Sequence, residues 1–82
     1  MQTLNKYRSE KIDLELIKLL EQRMILSKKI GDYKKELGLP VYDPSREEEL
    51  KNKYLAIVNE VFRSGYKEIF ETILKVSKDI QL

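Results

Sequence analysis

The chain has 82 residues, 41% of them hydrophobic and 37% charged, which is enough for one small domain over residues 1–82. Its 16 basic and 14 acidic residues leave a net charge of +2, too balanced for bulk charge to indicate a nucleic-acid partner. Because the chain contains neither cysteine nor histidine, disulfides, thiolate chemistry, imidazole catalysis and ordinary zinc sites are excluded. The sequence has no apolar run of membrane-spanning length and no signal-peptide core, so we expect a cytoplasmic protein without a membrane partner.

The first predicted element is a long amphipathic helix over about residues 4–37. Only Gly31 interrupts it, and one glycine costs a helix about 1 kcal/mol. At 1.5 Å per residue this helix is about 50 Å long. One face carries residues in alternating steps of four and three, all apolar or aromatic except one arginine. These residues are Ile12, Leu16, Leu19, Arg23, Leu26, Ile30, Tyr33 and Leu37.

Two shorter helices are predicted after the turn "GLPVYDPSREEEL". Gly38 is typical of the residue just past a helix C-terminus, and the proline that follows it prevents continuation. Asp43 is predicted to cap a second helix, with a proline at its first position, that runs to about Phe62. The segment "RSG", residues 63–65, is predicted to separate it from a third helix over about residues 66–80.

These elements predict an all-α fold with three helices, one long and two shorter. A helix of about 50 Å cannot bury its whole apolar face against two shorter helices of the same small chain. A second copy is the simplest cover, because closed twofold dimers are the commonest oligomers. We therefore expect an intertwined homodimer.

The charged member of the apolar face indicates a binding site for an anion. Burying an unpaired guanidinium is costly, so Arg23 requires an anionic partner. Lys34 follows it by about three turns and points to the same side, about 16 Å along the axis. Ser27 and Ile30 would form the floor between these cations, and two converging cations favour a compact anion. The alternative is that Lys34 reaches solvent while Arg23 pairs with a glutamate.

Two further groups of polar residues are candidates for the same site. The second helix begins with Asp43, Arg46 and Glu47, which offer a cation and two hydrogen-bond acceptors. Their alternative interpretation is helix capping with a solvated run of charges. Ser77 and Gln81 share one face of the third helix and continue an apolar line, so the inward face becomes polar at its end. Fraying of that helix is the alternative.

The ordered set resembles the all-helical chorismate mutase family. The phrases "IDLELIKLLEQR" and "GLPVYDPSREEEL" are similar to that family's first helix and following turn, and the likeness covers nearly the whole chain. The resemblance implies three helices per chain in an intertwined dimer whose subunits share the active sites. It also implies the conversion of chorismate to prephenate, an intramolecular Claisen rearrangement of aromatic amino-acid biosynthesis that needs no cofactor or metal. The residues that carry the resemblance are Arg23, Lys34, Asp43, Arg46, Glu47, Ser77 and Gln81.

The resemblance assigns catalytic roles to Arg23, Lys34, Glu47 and Gln81. Arg23 would hold a carboxylate of the substrate. Lys34 and Gln81 would donate to the ether oxygen, which gains negative charge as its C–O bond breaks. Glu47 would bind the ring hydroxyl.

The remaining candidates, Lys6, Arg8, Asp43, Arg46 and Ser77, would bind substrate. Arg46 would hold the second carboxylate, Asp43 would lie near the hydroxyl, and Ser77 would lie on the ring-carboxylate side. The family usually has an arginine near the start of the first helix that reaches into the partner's site. Here Lys6 aligns with that arginine and Arg8 lies two residues away. The heptad phase favours Lys6, which shares a column with Ser27 and Lys34, and Arg8 is the alternative source of the cation.

Three other functions remain open from the sequence. Isochorismate–pyruvate lyase uses the same fold with a similar cationic pocket. A non-catalytic, mutase-like regulatory module would share the fold without turnover. A plain helical dimerisation domain would bind no ligand, and there Arg23→Ala would leave the dimer unchanged or more stable.

Overall fold

The computed structural model describes the backbone of residues 2–82 and the side chains of residues 8–82. The long first helix, α1, spans Gln2–Glu36, and the second, α2, spans Pro44–Ile57. A short 3₁₀ helix, Glu60–Phe62, precedes α3, Arg63–Gln81. Within residues 2–82 there is no strand, so the all-α prediction with one long and two shorter helices is confirmed.

The predicted end of α1 at Gly38 and the predicted start of α2 at Asp43 are both confirmed. Gly38 has a φ of +67°, the left-handed conformation that glycine adopts without strain past a helix end. The Asp43 side chain accepts a hydrogen bond from the backbone N–H of Arg46 at 3.1 Å, which satisfies a donor at the start of α2. Pro44 is the first residue of that helix.

The predicted boundary between the second and third helices was wrong. The second helix ends at Ile57 rather than near Phe62, and the break falls at residues 58–59. Asn59 starts the 3₁₀ helix there by accepting from the backbone N–H of Val61 at 2.9 Å. Residues 63–65 form the first turn of α3 instead of a break, because glycine permits helical φ and ψ as readily as a turn.

The third helix packs against both others. It runs in the same direction as α1, since Arg23 meets Ser77 and Lys34 meets Gln81. It runs opposite to α2, and an aromatic cluster joins the two helices. In that cluster the Phe70 ring lies 5.4 Å from the ring of Tyr54 and 5.4 Å from that of Tyr66.

A single chain has no fully buried apolar side chain among its described residues. The N-terminal half of the α1 apolar face stays open, with Leu16 50% and Leu19 61% exposed. The chain is accordingly elongated, 54 × 25 × 15 Å. No helix in the described part of the chain is both long and apolar enough to cross a bilayer. Within one chain, the N-terminal half of α1 therefore leaves a continuous apolar face exposed.

Candidate active site

One cleft brings together most of the predicted site residues. It encloses about 430 Å³ between the C-terminal half of α1, the start of α2 and the C-terminal end of α3. Ser27 and Ile30 lie in its wall between the two α1 cations, as the helical spacing predicts. The predicted site residues that line it are Arg23, Lys34, Asp43, Arg46, Glu47, Ser77 and Gln81.

Arg23 enters the cleft from α1 and is half-buried. Its Nη1 donates to the hydroxyl of Ser77, which is only 8% exposed. Among the described side chains no carboxylate lies within ion-pair distance of Arg23, so the glutamate partner that the alternative interpretation requires is not found. The guanidinium thus remains available to an anion brought by a ligand.

Lys34 closes the other end of the cleft and is also half-buried. Its ammonium lies 3.2 Å from Oε1 of Gln81 and 3.4 Å from the carbonyl oxygen of Val41, both neutral acceptors. Within the described part of the chain it has no carboxylate partner. Because the amide oxygen of Gln81 accepts from Lys34, the NH₂ group of Gln81 is left to donate elsewhere.

The start of α2 supplies the third side of the cleft. Asp43 lines it while also capping the helix, so the capping interpretation is correct for this residue. Arg46 forms an exposed ion pair with Glu49 at 3.3 Å, which solvent screens and which a ligand carboxylate can replace. Glu47 is half-buried in the cleft wall.

The two N-terminal candidates are not brought to this cleft within one chain. Arg8 is exposed on α1, about 22 Å along the helix axis from Arg23. The side chain of Lys6 lies outside the described residues. Which of them supplies a cation to a second copy stays a prediction.

The sequence reasoning missed Lys78 and Tyr42. Lys78 lines the cleft beside Ser77, and its Nζ lies 4.4 Å from the centroid of the Tyr42 ring. This cation–π contact ties the turn before α2 to α3 at the cleft edge. Helical spacing could have indicated Lys78, because it lies four residues after Leu74 and three before Gln81, both in the cleft wall.

An ion-pair cluster supports the outer side of the cleft. Lys51 of α2 lies 3.1 Å from Oε2 of Glu48 and 3.5 Å from Oε1 of Glu71 on α3. The hydrogen bond with Glu48 is the main reason that the pKa of Lys51 is raised above its ordinary value, and Glu71 adds to the effect. This lysine links α2 to α3 without entering the cleft.

Comparison with known proteins identifies the family. The model of chorismate mutase type II matches residues 6–82, which include every predicted site residue. The chain belongs to the type II chorismate mutase family. The resemblance stated from the sequence is thereby confirmed at the level of the family.

The chain is similar to proteins of different lengths, and it covers only part of the longer ones. The chain is 33% identical to a bifunctional chorismate mutase/prephenate dehydratase of Aquifex aeolicus, aligning over 100% of its own length and 26% of that protein. It is 28% identical to a chorismate mutase of Methanocaldococcus jannaschii, over 88% of the chain and 75% of that protein. A solved structure of a conserved hypothetical protein from Pyrococcus furiosus matches with a TM-score of 0.75 and 42% identity, over 100% of this chain and 99% of that one.

Proposed function

We propose that residues 1–82 form a chorismate mutase domain that converts chorismate to prephenate in aromatic amino-acid biosynthesis. One observation carries the proposal. Arg23 and Lys34 face a common cleft and have only neutral partners among the described residues. Arg46 adds a third cation to the cleft wall. Such a site fits a small molecule that carries two carboxylates.

The reaction rearranges bonds within one molecule. The ether C–O bond of chorismate breaks while a C–C bond forms, and no proton, electron or group leaves the substrate. The protein must therefore hold a compact chair-like conformer and stabilise the charge that develops on the ether oxygen. Arg23 and Arg46 bind the carboxylates and so fix the conformer. Lys34 and the NH₂ group of Gln81 donate to the ether oxygen.

These contributions are sufficient in size. A rate acceleration of about 10⁶-fold requires about 8 kcal/mol of transition-state stabilisation. One preorganised donor facing a developing negative charge is typically worth about 3–4 kcal/mol. Lys34, Gln81 and the restriction of the conformer together reach that figure.

Glu47 and Asp43 bind the ring hydroxyl of the substrate in this proposal. Both line the cleft at the start of α2, and a carboxylate accepts a hydrogen bond from a hydroxyl. The second oxygen of Asp43 is left for this role, because Oδ1 accepts from the backbone of Arg46. Ser77 contacts the ring-carboxylate side through the hydroxyl that also meets Arg23.

The working unit in this proposal is a homodimer with active sites shared between subunits. The absence of any buried apolar side chain among the described residues supports it, since covering the exposed part of Leu16 or Leu19 stabilises the protein by about 1–1.5 kcal/mol each. The matching face of a second α1 is a suitable cover for such a helical stripe. In that arrangement the partner subunit's Lys6 or the partner subunit's Arg8 adds a cation to the cleft.

A direct assay tests the function. Purified protein is mixed with chorismate in the presence of EDTA, and loss of the diene absorbance is followed while prephenate is measured. We expect turnover by the wild type. Arg23→Ala and Lys34→Ala should each lower kcat/KM by about 10²–10³-fold, because each removes a charged group that the transition state needs.

Lys29→Ala is the matched control. Lys29 is an exposed lysine of the same helix and lies outside the cleft, so this variant should keep wild-type kcat/KM. Circular dichroism checks that all three variants stay helical. No turnover by the wild type, or full activity in Lys34→Ala, would refute the proposed function. Release of pyruvate from isochorismate without any prephenate from chorismate would assign the cleft to lyase chemistry instead.

A further inference from the structure

Gly31 of α1 lies against Gln81 of α3 and is buried there. A Cβ added at this position would lie 2.6 Å from Cα, 2.8 Å from the carbonyl oxygen and 2.9 Å from Cβ of Gln81. The first two are backbone atoms, so no change of side-chain rotamer relieves the overlap. Any other residue at position 31 therefore displaces the end of α3 relative to α1.

That displacement would alter the hydrogen bond between Lys34 and Gln81 in the cleft. Lys34 lies one turn after Gly31 on the same face, and its ammonium is 3.2 Å from Oε1 of Gln81. A shift of the α3 end by a few tenths of an ångström or more changes this distance directly. The closest overlaps involve Gln81 and no atom of Ser77, which meets Arg23 further from the end of α3.

We propose that Gly31 is a positioning residue for catalysis, because the missing side chain sets the depth and orientation of the Gln81 amide against Lys34. The inference rests on the proposed function and deepens it. Helix propensity alone would favour alanine over glycine at position 31, since alanine is the better helix former. The requirement comes from the α3 backbone and not from α1 itself.

Gly31→Ala and Gly65→Ala form a matched pair that tests this inference. Gly65 is also helical, but an added Cβ there meets no heavy atom within 4 Å. We expect Gly31→Ala to lower kcat by roughly 10–100-fold with KM changed by less than about threefold, because a donor used in the transition state is misplaced. Gly65→Ala should keep both constants. Equal activity of the two variants would overturn the inference.

A double-mutant comparison separates action through Gln81 from general damage to the cleft. If Gly31 acts by placing Gln81, adding Gly31→Ala to Gln81→Ala should lower kcat by less than about twofold further. A full additional loss in the double variant would show that Gly31 supports other groups, and would contradict the inference.

An NMR measurement keeps this inference distinct from the proposed function. The side-chain amide signals of Gln81, assigned by their loss in Gln81→Ala, should shift in Gly31→Ala and stay in place in Gly65→Ala. If the wild type did not turn over chorismate, the proposed function would fail, and these signals would still decide whether Gly31 places the amide. Unmoved signals would refute that placement.

A shortened chain covers the case in which Gly31→Ala does not fold. The same change is made in a chain that ends at Ile80, which removes every atom that the added methyl group would meet most closely. Helical content and thermal unfolding should then match those of the shortened chain with glycine at position 31. Continued failure to fold would place the conflict elsewhere and contradict the inference.

Discussion

The two halves of α1 carry one continuous apolar pattern but have different surroundings. The C-terminal half packs on α3 and contributes Arg23, Ser27 and Lys34 to the cleft. The N-terminal half, with Leu16 and Leu19, remains largely exposed. The same helical periodicity therefore serves two purposes, and only the tertiary contacts distinguish them.

The difference indicates how function and assembly are divided in this small chain. The C-terminal half provides polar and charged groups at the spacing of whole turns, which makes one wall of a binding site. In the proposed dimer the N-terminal half provides the apolar surface that a second copy covers, together with Lys6 or Arg8 for the partner's cleft. Changes to the cleft residues of the C-terminal half should thus lower activity without weakening dimerisation, whereas changes to the apolar face of the N-terminal half should weaken dimerisation itself.

The largest expected effect comes from a charge in the N-terminal half. Leu16→Glu should weaken dimerisation by about 10²–10⁴-fold, because each of two symmetry-related sites loses about 1 kcal/mol of apolar burial and must in addition bury a carboxylate. Analytical ultracentrifugation over a concentration series measures the dissociation constant.

Gln22→Glu is the control for this change, since it adds the same charge at an exposed position outside the apolar face. It should leave the dissociation constant within a factor of about three, as a surface substitution usually does. A wild type that is monomeric at all concentrations, or a Leu16→Glu variant that dimerises normally, would contradict the assignment of this half to assembly.

A smaller and pH-dependent effect is expected at the cleft. Gln81→Glu replaces a neutral donor by a group that donates only when protonated. The ordinary pKa of glutamate is about 4.3, and the nearby Lys34 ammonium favours the charged form, so the variant should be nearly inactive at pH 7. Its kcat should rise as the pH falls, whereas wild-type kcat should not show that rise.

The pH profile of kcat measures this prediction, with Gln22→Glu as the control for an added carboxylate outside the cleft. A Gln81→Glu variant with full activity at pH 7 and above would show that residue 81 does not donate to the substrate. Dimerisation should be unaffected, which separates this change from the one at Leu16.

A third effect concerns the cap that orients the start of α2. Asp43→Ala should lower the free energy of unfolding by about 1 kcal/mol, because the backbone N–H of Arg46 loses its acceptor. Asp43→Asn keeps a capping oxygen and should change stability by only a few tenths of a kcal/mol. Urea unfolding measures both variants. Equal destabilisation by both would mean that the charge of Asp43, and not its capping bond, stabilises the helix.

The smallest effect is expected outside both halves of α1, at Lys51. Because the pKa of Lys51 is raised in the folded state, its stabilising contribution is fully present below the ordinary lysine pKa and is lost as the pH rises through the raised value. Lys51→Met should therefore lower the Tm slightly at pH 8, and the difference from wild type should shrink as the pH rises through the raised pKa of Lys51.

Lys53→Met is the matched control, because Lys53 is an exposed lysine of the same helix without an ion pair among the described residues. It should change the Tm less than Lys51→Met at pH 8. A Lys51 effect that stayed constant up to the highest pH would exclude its ion pairs as the source.

The sequence was sufficient for features that local chemistry determines. Gly38 and Asp43 were predicted correctly because a left-handed glycine and a capping carboxylate act within a few residues. The placement of Arg23 and Lys34 on one side of α1 follows from helical periodicity alone. Their convergence with Ser77 and Gln81 in one cleft required the family resemblance as well.

The missed features depend on contacts between distant residues. The break at Asn59 was overlooked because the neighbouring "RSG" segment is the stronger turn pattern. In the structure Arg63 is instead the first residue of α3, and its Nε donates to the carbonyl oxygen of Leu55 at 3.1 Å. From the sequence, Gly31 is only a residue that destabilises a helix. The structure explains why glycine stands there, because any side chain would overlap the backbone of Gln81. Neither relation has a signature in local sequence.

The central claim is that the cleft cations and Gln81 hold a dicarboxylate in its reactive shape. A crystal structure with a bicyclic dicarboxylate that mimics the transition state tests it most directly. The account predicts one ligand per cleft, with its carboxylates on Arg23 and Arg46 and its ether oxygen within hydrogen-bond distance of Lys34 and Gln81. A ligand bound elsewhere, or these side chains turned toward bulk water with the mimic present, would contradict it.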